Sequence, residues 1–260
     1  MTYDKLTIGR VEMPDRHGTH HRAEAGPRRR WYMPVKLATE WLAALALLLL
    51  SSPLIGLMAL LTKLTSPGPA FYTQVRAGRN GQPFTMLKIR TMRTDSESQS
   101  GPVWCGTDDQ RVTRIGRFLR ETHLDELPQL INVLQGQMTL IGPRPERPEI
   151  IARIERQLPR YNERLMLRPG LTGLAQVQRP ADADLEDVRK KLVYDLYYVR
   201  EVNLMMDLRV AFSTALQMAG VAMHAMGRVL VRTYGIEADQ IDASVPLLPD
   251  SPPQRAAEVA

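Results

Sequence analysis

From Trp41 to Leu61 the chain reads WLAALALLLLSSPLIGLMALL, without one charged side chain. At 1.5 Å per residue, about 20 helical residues match the ~30 Å hydrocarbon core of a bilayer, so this segment predicts a membrane-embedded helix. It begins too far from Met1 for a cleavable signal peptide, and no small-residue cleavage site follows it at the expected place. Trp31, Tyr32 and Trp41 stand on its N-terminal side, where aromatic rings anchor at the membrane interface.

Two features complicate a simple span. Ser51, Ser52 and Pro53 fall in the middle of the run. Proline lacks an N–H and its ring crowds the carbonyl four residues back, so a kink is expected, with the two serine hydroxyls available to the freed carbonyls. Basic residues also flank both ends: Arg28, Arg29, Arg30 and Lys36 before, Lys63, Arg76 and Arg79 after. The positive-inside rule places both ends on the cytosolic side. A helix that enters, breaks at Ser52-Pro53 and leaves by the same face satisfies both observations. A kinked single-pass helix is the simpler alternative, and the residues alone leave the two evenly balanced.

The 260 residues, 44% of them hydrophobic, suffice for one sizeable core together with such a segment. A net charge of +6 is compatible with nucleic acid, anionic lipid or phosphorylated substrates and does not choose among them. The single cysteine, Cys105, excludes an intramolecular disulfide and a cysteine-built zinc site, and reads as a small buried or half-buried thiol. Residues 1–33 are basic, with His17, His20 and His21 in a stretch lacking any packing period, and are expected to be a solvated, disordered tail. Residues 237–260, with Pro246, Pro249, Pro252 and Pro253, read as a flexible C-terminal tail. The organisation expected is thus a tail (1–33), a membrane helix (34–63), a cytosolic domain (64–236) and a second tail (237–260).

In the cytosolic part, FYTQVR and PFTMLKIR flank AGRNGQ, whose Asn80-Gly81 is a turn signal, predicting a β-hairpin. Its cations Arg76, Arg79, Lys88 and Arg90 form an ordinary solvated face unless they converge on a phosphate. Most of the remainder reads as helix. Ile115–Arg120 is short. Leu127, Leu130, Ile131 and Leu134 have helical spacing ending at Gly136. Glu149–Leu167 and Asp184–Val199 are amphipathic, and Leu204–Val231 is long and methionine-rich. Met205, Met206, Met218, Met223 and Met226 fit either core gap-filling or a face lying on the bilayer. The fold class expected is α+β, mostly helical: a small hairpin plus helices docked on the membrane helix and on interfacial amphipathic helices.

The chemistry-bearing segment is ETHLDELPQLINVLQGQMTLIGPRPE, Glu121–Glu146. Asp125 and Glu126 are adjacent carboxylates at a helix start, with Pro128 in its first turn. Acids there complement the helix dipole, which alone could explain them. The same free N–H groups attract phosphate, and a carboxylate can attack phosphorus while its neighbour handles a proton or a metal. In Ile141-Gly142-Pro143-Arg144-Pro145-Glu146, two prolines stiffen the mount of one guanidinium, a group suited to bidentate phosphate recognition; an exposed arginine in a proline-rich loop is the plain alternative. Arg168-Pro169-Gly170-Leu171-Thr172-Gly173 is a similar basic turn.

Taken in order, the Ser52-Pro53 hydrophobic segment, SPGPAFYTQVRAGRNGQPFTMLKIRTM, LDELPQLINVLQGQMTLIGPRPE, RPGLTGLAQV and KLVYDLYYVREVNLMMDLRV resemble the bacterial sugar transferases, the monotopic polyprenyl-phosphate phosphoglycosyl transferases, over Met33 to Thr233. The resemblance implies a re-entrant helix broken at Ser52-Pro53, and Asp125 as the nucleophile toward the β-phosphate of a UDP-sugar. It further implies release of UMP, a phosphosugar held on Asp125, and transfer to undecaprenyl phosphate at the cytoplasmic leaflet of the bacterial inner membrane. Such a reaction initiates exopolysaccharide, lipopolysaccharide or glycoconjugate synthesis. Glu126 assists as general base or through a metal, magnesium (Mg2+) sits at the Asp125 carboxylate, and Lys88, Arg90, Arg144 and Arg168 are the phosphate-contact candidates. Cations are needed there because two anions must meet. His123 stands where the family usually has serine, and the larger members' extra N-terminal membrane domain is not seen. Self-association stays open. The rivals are a membrane-anchored scaffold that has lost the chemistry, against which intact Asp125, Glu126 and Arg144 count, and a nucleic-acid binder, for which no recognition motif is found and aromatic content is only 6%.

Overall fold

The computed structural model describes residues 26–94, 109–158, 160–179 and 185–218. The expectations for the two tails beyond these residues, for Cys105 and for Met223 and Met226 lie outside the described residues.

The apolar segment belongs to a 34-residue helix, α1, Tyr32–Thr65, with Pro53 inside a continuous helical assignment. It is the one described helix long and apolar enough, by length and composition, to cross a membrane. Pro53 cannot donate to the Leu49 carbonyl four residues back, and Ser52 Oγ donates to that carbonyl instead, at 2.9 Å. Ser51 Oγ donates to Leu47 O at 2.7 Å, the back-bond of a helical serine to the carbonyl four residues before it, so of the two hydroxyls only Ser52 serves the carbonyl that Pro53 leaves open.

Beyond α1, the hairpin consists of β1, Phe71–Ala77, and β2, Pro83–Ile89, paired antiparallel in a register that sets Tyr72 opposite Lys88. Asn80 (φ 56°) and Gly81 (φ 76°) supply the left-handed backbone of the tight connection, as the Asn-Gly signal requires. Helix α2, Arg114–Glu121, is capped by Thr113, whose hydroxyl accepts from the Gly116 N–H at 3.0 Å. A 3-10 turn, Leu124–Gln129, leads into the short helix α3, Leu130–Leu134. The continuous helix expected from Leu127 is therefore shortened. Left-handed His123 starts the segment as a tight turn, and Pro128 removes an N–H the regular helix would use.

Residues 149–167, read as one amphipathic stretch, divide into α4, Pro148–Glu155, and a second 3-10 turn, Tyr161–Met166. A feature the periodicity did not reveal is a two-stranded parallel pair of β3, Thr139–Ile141, with β4, Gly170–Thr172. Three-residue strands carry no readable alternation, and their pairing is nonlocal. α5, Leu174–Gln178, α6, Leu185–Glu201, and α7, Leu204–Met218, complete the order.

The main core gathers Ile151, Leu158, Leu174, Leu192, Tyr198 and Val210 from the C-terminal elements. Two smaller clusters dock α1. Ala44 packs with Phe84, Met86, Leu130 and Met138, and Met58 packs with Ile89 and Leu119. Both halves of α1 thus lie against one domain, while Leu47, Leu49, Leu50, Leu54 and Leu57 between them are exposed.

Candidate active site

Asp125 sits on the 3-10 turn between β2, α1 and α2. Its neighbour Leu124 packs against the Met58, Ile89 and Leu119 cluster, which fixes the turn in place. The Asp125 side chain is buried, at 6% exposure. It has no hydrogen-bond or ion-pair partner among the described residues, yet its oxygens are not sealed from solvent, since neither is among the fully buried unpartnered atoms. Burial raises its carboxyl above the usual range. The Lys88 ammonium opposes this, the Glu126 carboxylate adds to it, and Arg120 and Arg144 pull it down again.

Glu126 is its opposite. Lys88 Nζ donates to Glu126 Oε1 at 2.7 Å, and Arg144 Nη2 donates to the same oxygen at 2.7 Å. Burial alone would raise the Glu126 carboxyl, but the Arg144 and Lys88 charges and their hydrogen bonds outweigh it and hold it far below the usual carboxylate range. Adjacent acids are thereby pushed apart: one stays ionised as the anchor of two cations, and the other is left unpaired and more basic.

Arg144 is aimed by a loop pinned at every step. Gly142 N–H donates to Thr172 O at 2.9 Å and Gly170 N–H to Pro143 O at 2.9 Å. A Cβ on Gly170 would lie 2.1 Å from the Gly142 nitrogen, so that close approach needs glycine. Arg164 Nη2 donates to the Arg144 carbonyl at 2.9 Å, and Arg164 itself is buried in an ion pair with Asp195 at 2.6 Å. Arg76 Nη1 holds Glu146 at 2.7 Å and Pro145 O at 3.2 Å. Pro143 and Pro145 are buried on either side, while the Arg144 side chain remains half exposed.

Of the residues singled out from the sequence, Asp125, Glu126, Lys88 and Arg144 come together. Arg90 does not join them: its guanidinium donates to Ser66 O at 2.7 Å and Pro67 O at 2.6 Å, closing the loop after α1. Arg168 lines a separate cavity with Arg30 and Arg79. His123 is exposed, with φ 55°, and serves as the left-handed residue before the 3-10 turn that carries Asp125. Arg120, not anticipated, adds positive charge near Asp125 while its Nε donates to Thr91 Oγ1 at 2.9 Å.

A second polar cluster was also missed. Lys36 pairs with Glu40 one turn on and with Asp207 of α7 at 2.9 Å, all three buried. Tyr32 and Tyr198 hydroxyls donate to the two Asp207 oxygens at 2.7 and 2.6 Å. Glu40 in turn accepts from the N–H groups of Leu140 and Ile141, at 3.1 and 3.2 Å. This network clamps the start of α1 to β3, α6 and α7. The i,i+4 spacing of Lys36 and Glu40 was a legible signal, but Asp207 was not.

The hairpin, the adjacent carboxylates and the proline-mounted arginine thus lie beside one helix that is long and apolar enough to cross a membrane. The bacterial sugar transferase family model matches residues 31–220, and the chain belongs to that family. It is 41% identical over 183 residues, 70% of its length, to a UDP-N-acetylgalactosamine-undecaprenyl-phosphate N-acetylgalactosaminephosphotransferase of Aeromonas hydrophila, of which the match spans only 43%. It is 41% identical over 190 residues (69% of this chain, 92% of the relative) to an exopolysaccharide production protein of Rhizobium leguminosarum bv. phaseoli. A UDP-glucose:undecaprenyl-phosphate glucose-1-phosphate transferase of Caulobacter vibrioides is 42% identical over 183 residues, 69% of this chain and 67% of that protein.

Proposed function

We propose that this chain transfers a sugar-1-phosphate from a UDP-sugar to undecaprenyl phosphate, as the names of its Aeromonas and Caulobacter relatives describe for those proteins. The observation that carries the reading is the unequal carboxylate pair: Asp125 unpaired beside a Glu126 that gathers Lys88 and Arg144.

An Asp125 carboxylate oxygen attacks the β-phosphorus of the UDP-sugar. The bond from that phosphorus to the bridging oxygen breaks, and UMP leaves with the electron pair. A phosphate oxygen of the polyprenyl carrier then attacks the same phosphorus, the acyl-phosphate bond breaks, and the Asp125 carboxylate is restored with the polyprenyl diphosphate sugar as product. Lys88, Arg144 and Arg120 lower the repulsion between carboxylate and diphosphate. Glu126 works mainly by holding Lys88 and Arg144 in place. Among the described residues there is no cluster of three or more metal-ligating side chains. The hard carboxylate oxygens of Asp125 nonetheless suit Mg2+ bound by one or two carboxylates and completed by substrate phosphates. Such an ion would supply charge neutralisation at the diphosphate.

The carrier phosphate lies at a leaflet surface, so the nucleophile must be held there. Re-entry of α1 at Ser52-Pro53, with both ends on the cytosolic side, meets that need. It is supported by the docking of Lys36, Glu40 and Ala44 at one end and Met58 and Thr62 at the other onto a single domain, which a straight span would place on opposite faces. The exposed Leu204, Met205, Leu208 and Phe212 of α7 support interfacial seating of that helix.

The test is UMP release from a panel of UDP-sugars by the detergent-solubilised chain, with magnesium, with and without undecaprenyl phosphate. Sustained release that needs one UDP-sugar and the carrier is the expected result, with at most one equivalent of UMP per protein when the carrier is left out. Folded protein that releases no UMP from any sugar would overturn the proposal for UDP-sugars.

A further inference from the structure

The cavity that takes up Arg168 is not explained by the Asp125 site. It measures about 410 Å³ and is lined by Arg30, just before α1, by Arg79 at the hairpin turn, and by Arg168. None of these three guanidiniums has a hydrogen-bond or ion-pair partner among the described residues. Lys36 also reaches the wall, but it is neutralised by Glu40 and Asp207. Three unpaired guanidiniums around one concavity favour an anion that accepts forked hydrogen bonds, which is the chemistry of phosphate.

Apart from Asn80 and Thr139, the side chains on the rest of the wall are apolar, with Met33, Leu37, Ile141, Met166 and Leu167 the largest. A ligand with a phosphate at one end and hydrocarbon at the other would match both parts. The depth agrees. The exposed leucine face of α1 begins at Leu42, five residues past Leu37, and at 1.5 Å per residue that is about 8 Å. The headgroup layer of a bilayer extends roughly that far beyond its hydrocarbon core. The cavity therefore lies where a lipid phosphate would be when the leucine face is immersed.

We infer that Arg30, Arg79 and Arg168 form a second phosphate site, distinct from the Asp125 centre, that takes the headgroup phosphate of an anionic amphiphile. Its work is to seat the domain at a fixed depth and rotation on the leaflet. Free phosphate compounds share the recognition chemistry, so the experiment separates the two sources.

The full chain is solubilised in uncharged detergent. Its thermal unfolding midpoint is followed during titration with short-chain phosphatidylglycerol, short-chain phosphatidylcholine or inorganic pyrophosphate, for wild type and for the Arg30→Ala/Arg79→Ala double variant. Phosphatidylglycerol alone is expected to raise the midpoint, with apparent affinity at least about tenfold weaker in the double variant, because hydrogen bonds to a charged group are lost. A rise with pyrophosphate that is lost in the same way would also establish the site and assign it to free phosphates. No rise with either anion, or a rise whose affinity stays within about twofold in the folded double variant, overturns the inference. Should the double variant not fold, Arg79→Gln alone is read by the same criteria. Asp125→Asn is expected to keep the lipid response, which separates this inference from the proposed catalytic role.

Discussion

Lys88 Nζ on β2 and Glu126 Oε1 on the 3-10 turn lie 2.7 Å apart, joining the hairpin to the segment that carries Asp125. The bond spends Glu126 on holding cations and leaves Asp125 as the carboxylate without a partner. The consequences can be measured separately.

Asp125→Asn is expected to abolish UMP release while the protein stays folded. Burial raises the Asp125 carboxyl, so its favourable contribution is present below the unfolded value of 3.8 and is lost as pH rises through the folded one. At neutral pH the ionised group is therefore held at a cost, and the asparagine variant should unfold at an equal or higher temperature. Turnover near wild type in this variant would sink the nucleophile assignment.

Glu126→Gln should act in the opposite sense. Its depressed carboxyl contributes stability above the unfolded value of 4.5, lost only as pH falls through the folded one. The variant is expected to lose about 1–3 kcal/mol at neutral pH, the lower end because Arg144 is half exposed, and to show a flatter acid limb in unfolding against pH. UMP release should fall as well, since Lys88 and Arg144 lose their anchor.

Arg144→Lys keeps the charge and removes the planar fork. The Pro143 and Pro145 mount would then aim a point charge, and the KM for the UDP-sugar is expected to rise by about tenfold or more, the equivalent of ~1.4 kcal/mol. Steady-state kinetics with the preferred sugar reads this directly, and a KM equal to wild type would remove Arg144 from substrate contact.

Asp207→Ala leaves Lys36 with only Glu40, strips the Tyr32 hydroxyl of its acceptor and leaves the Tyr198 hydroxyl with the Ile141 carbonyl alone. Breaking a buried pair in this way typically costs about 3–5 kcal/mol. The loss should appear as a lower unfolding midpoint in detergent, with the N-terminal part of α1 more open to proteolysis.

Cysteines introduced at Arg30 and Lys63 in a Cys105→Ser background test the path of α1. Both are expected to react with a membrane-impermeant thiol reagent from the cytosolic side only. Labelling of one from each side would establish a single span in place of re-entry.

Much was legible before any tertiary structure. The apolar run, the Asn80-Gly81 hairpin, the serine hydroxyls beside Pro53 and the adjacent acids, expected at a helix start and found on a 3-10 turn, are local patterns, and local patterns are written in neighbouring residues. The partition of cations was not. Lys88 on β2 and Arg90 just past its end are two residues apart, yet one meets Glu126 and the other closes the loop after α1. Arg168 and Arg144 sit in similar proline-bearing turns and face different cavities or partners. The buried bond from Lys36 to Asp207 spans 171 residues of sequence. Periodicity and turn chemistry determine which segments become helix or hairpin, because those preferences act over a few bonds. Which charge neutralises which is decided only when packing removes water and brings distant side chains within about 3 Å, where partner identity, not residue type, sets the energy.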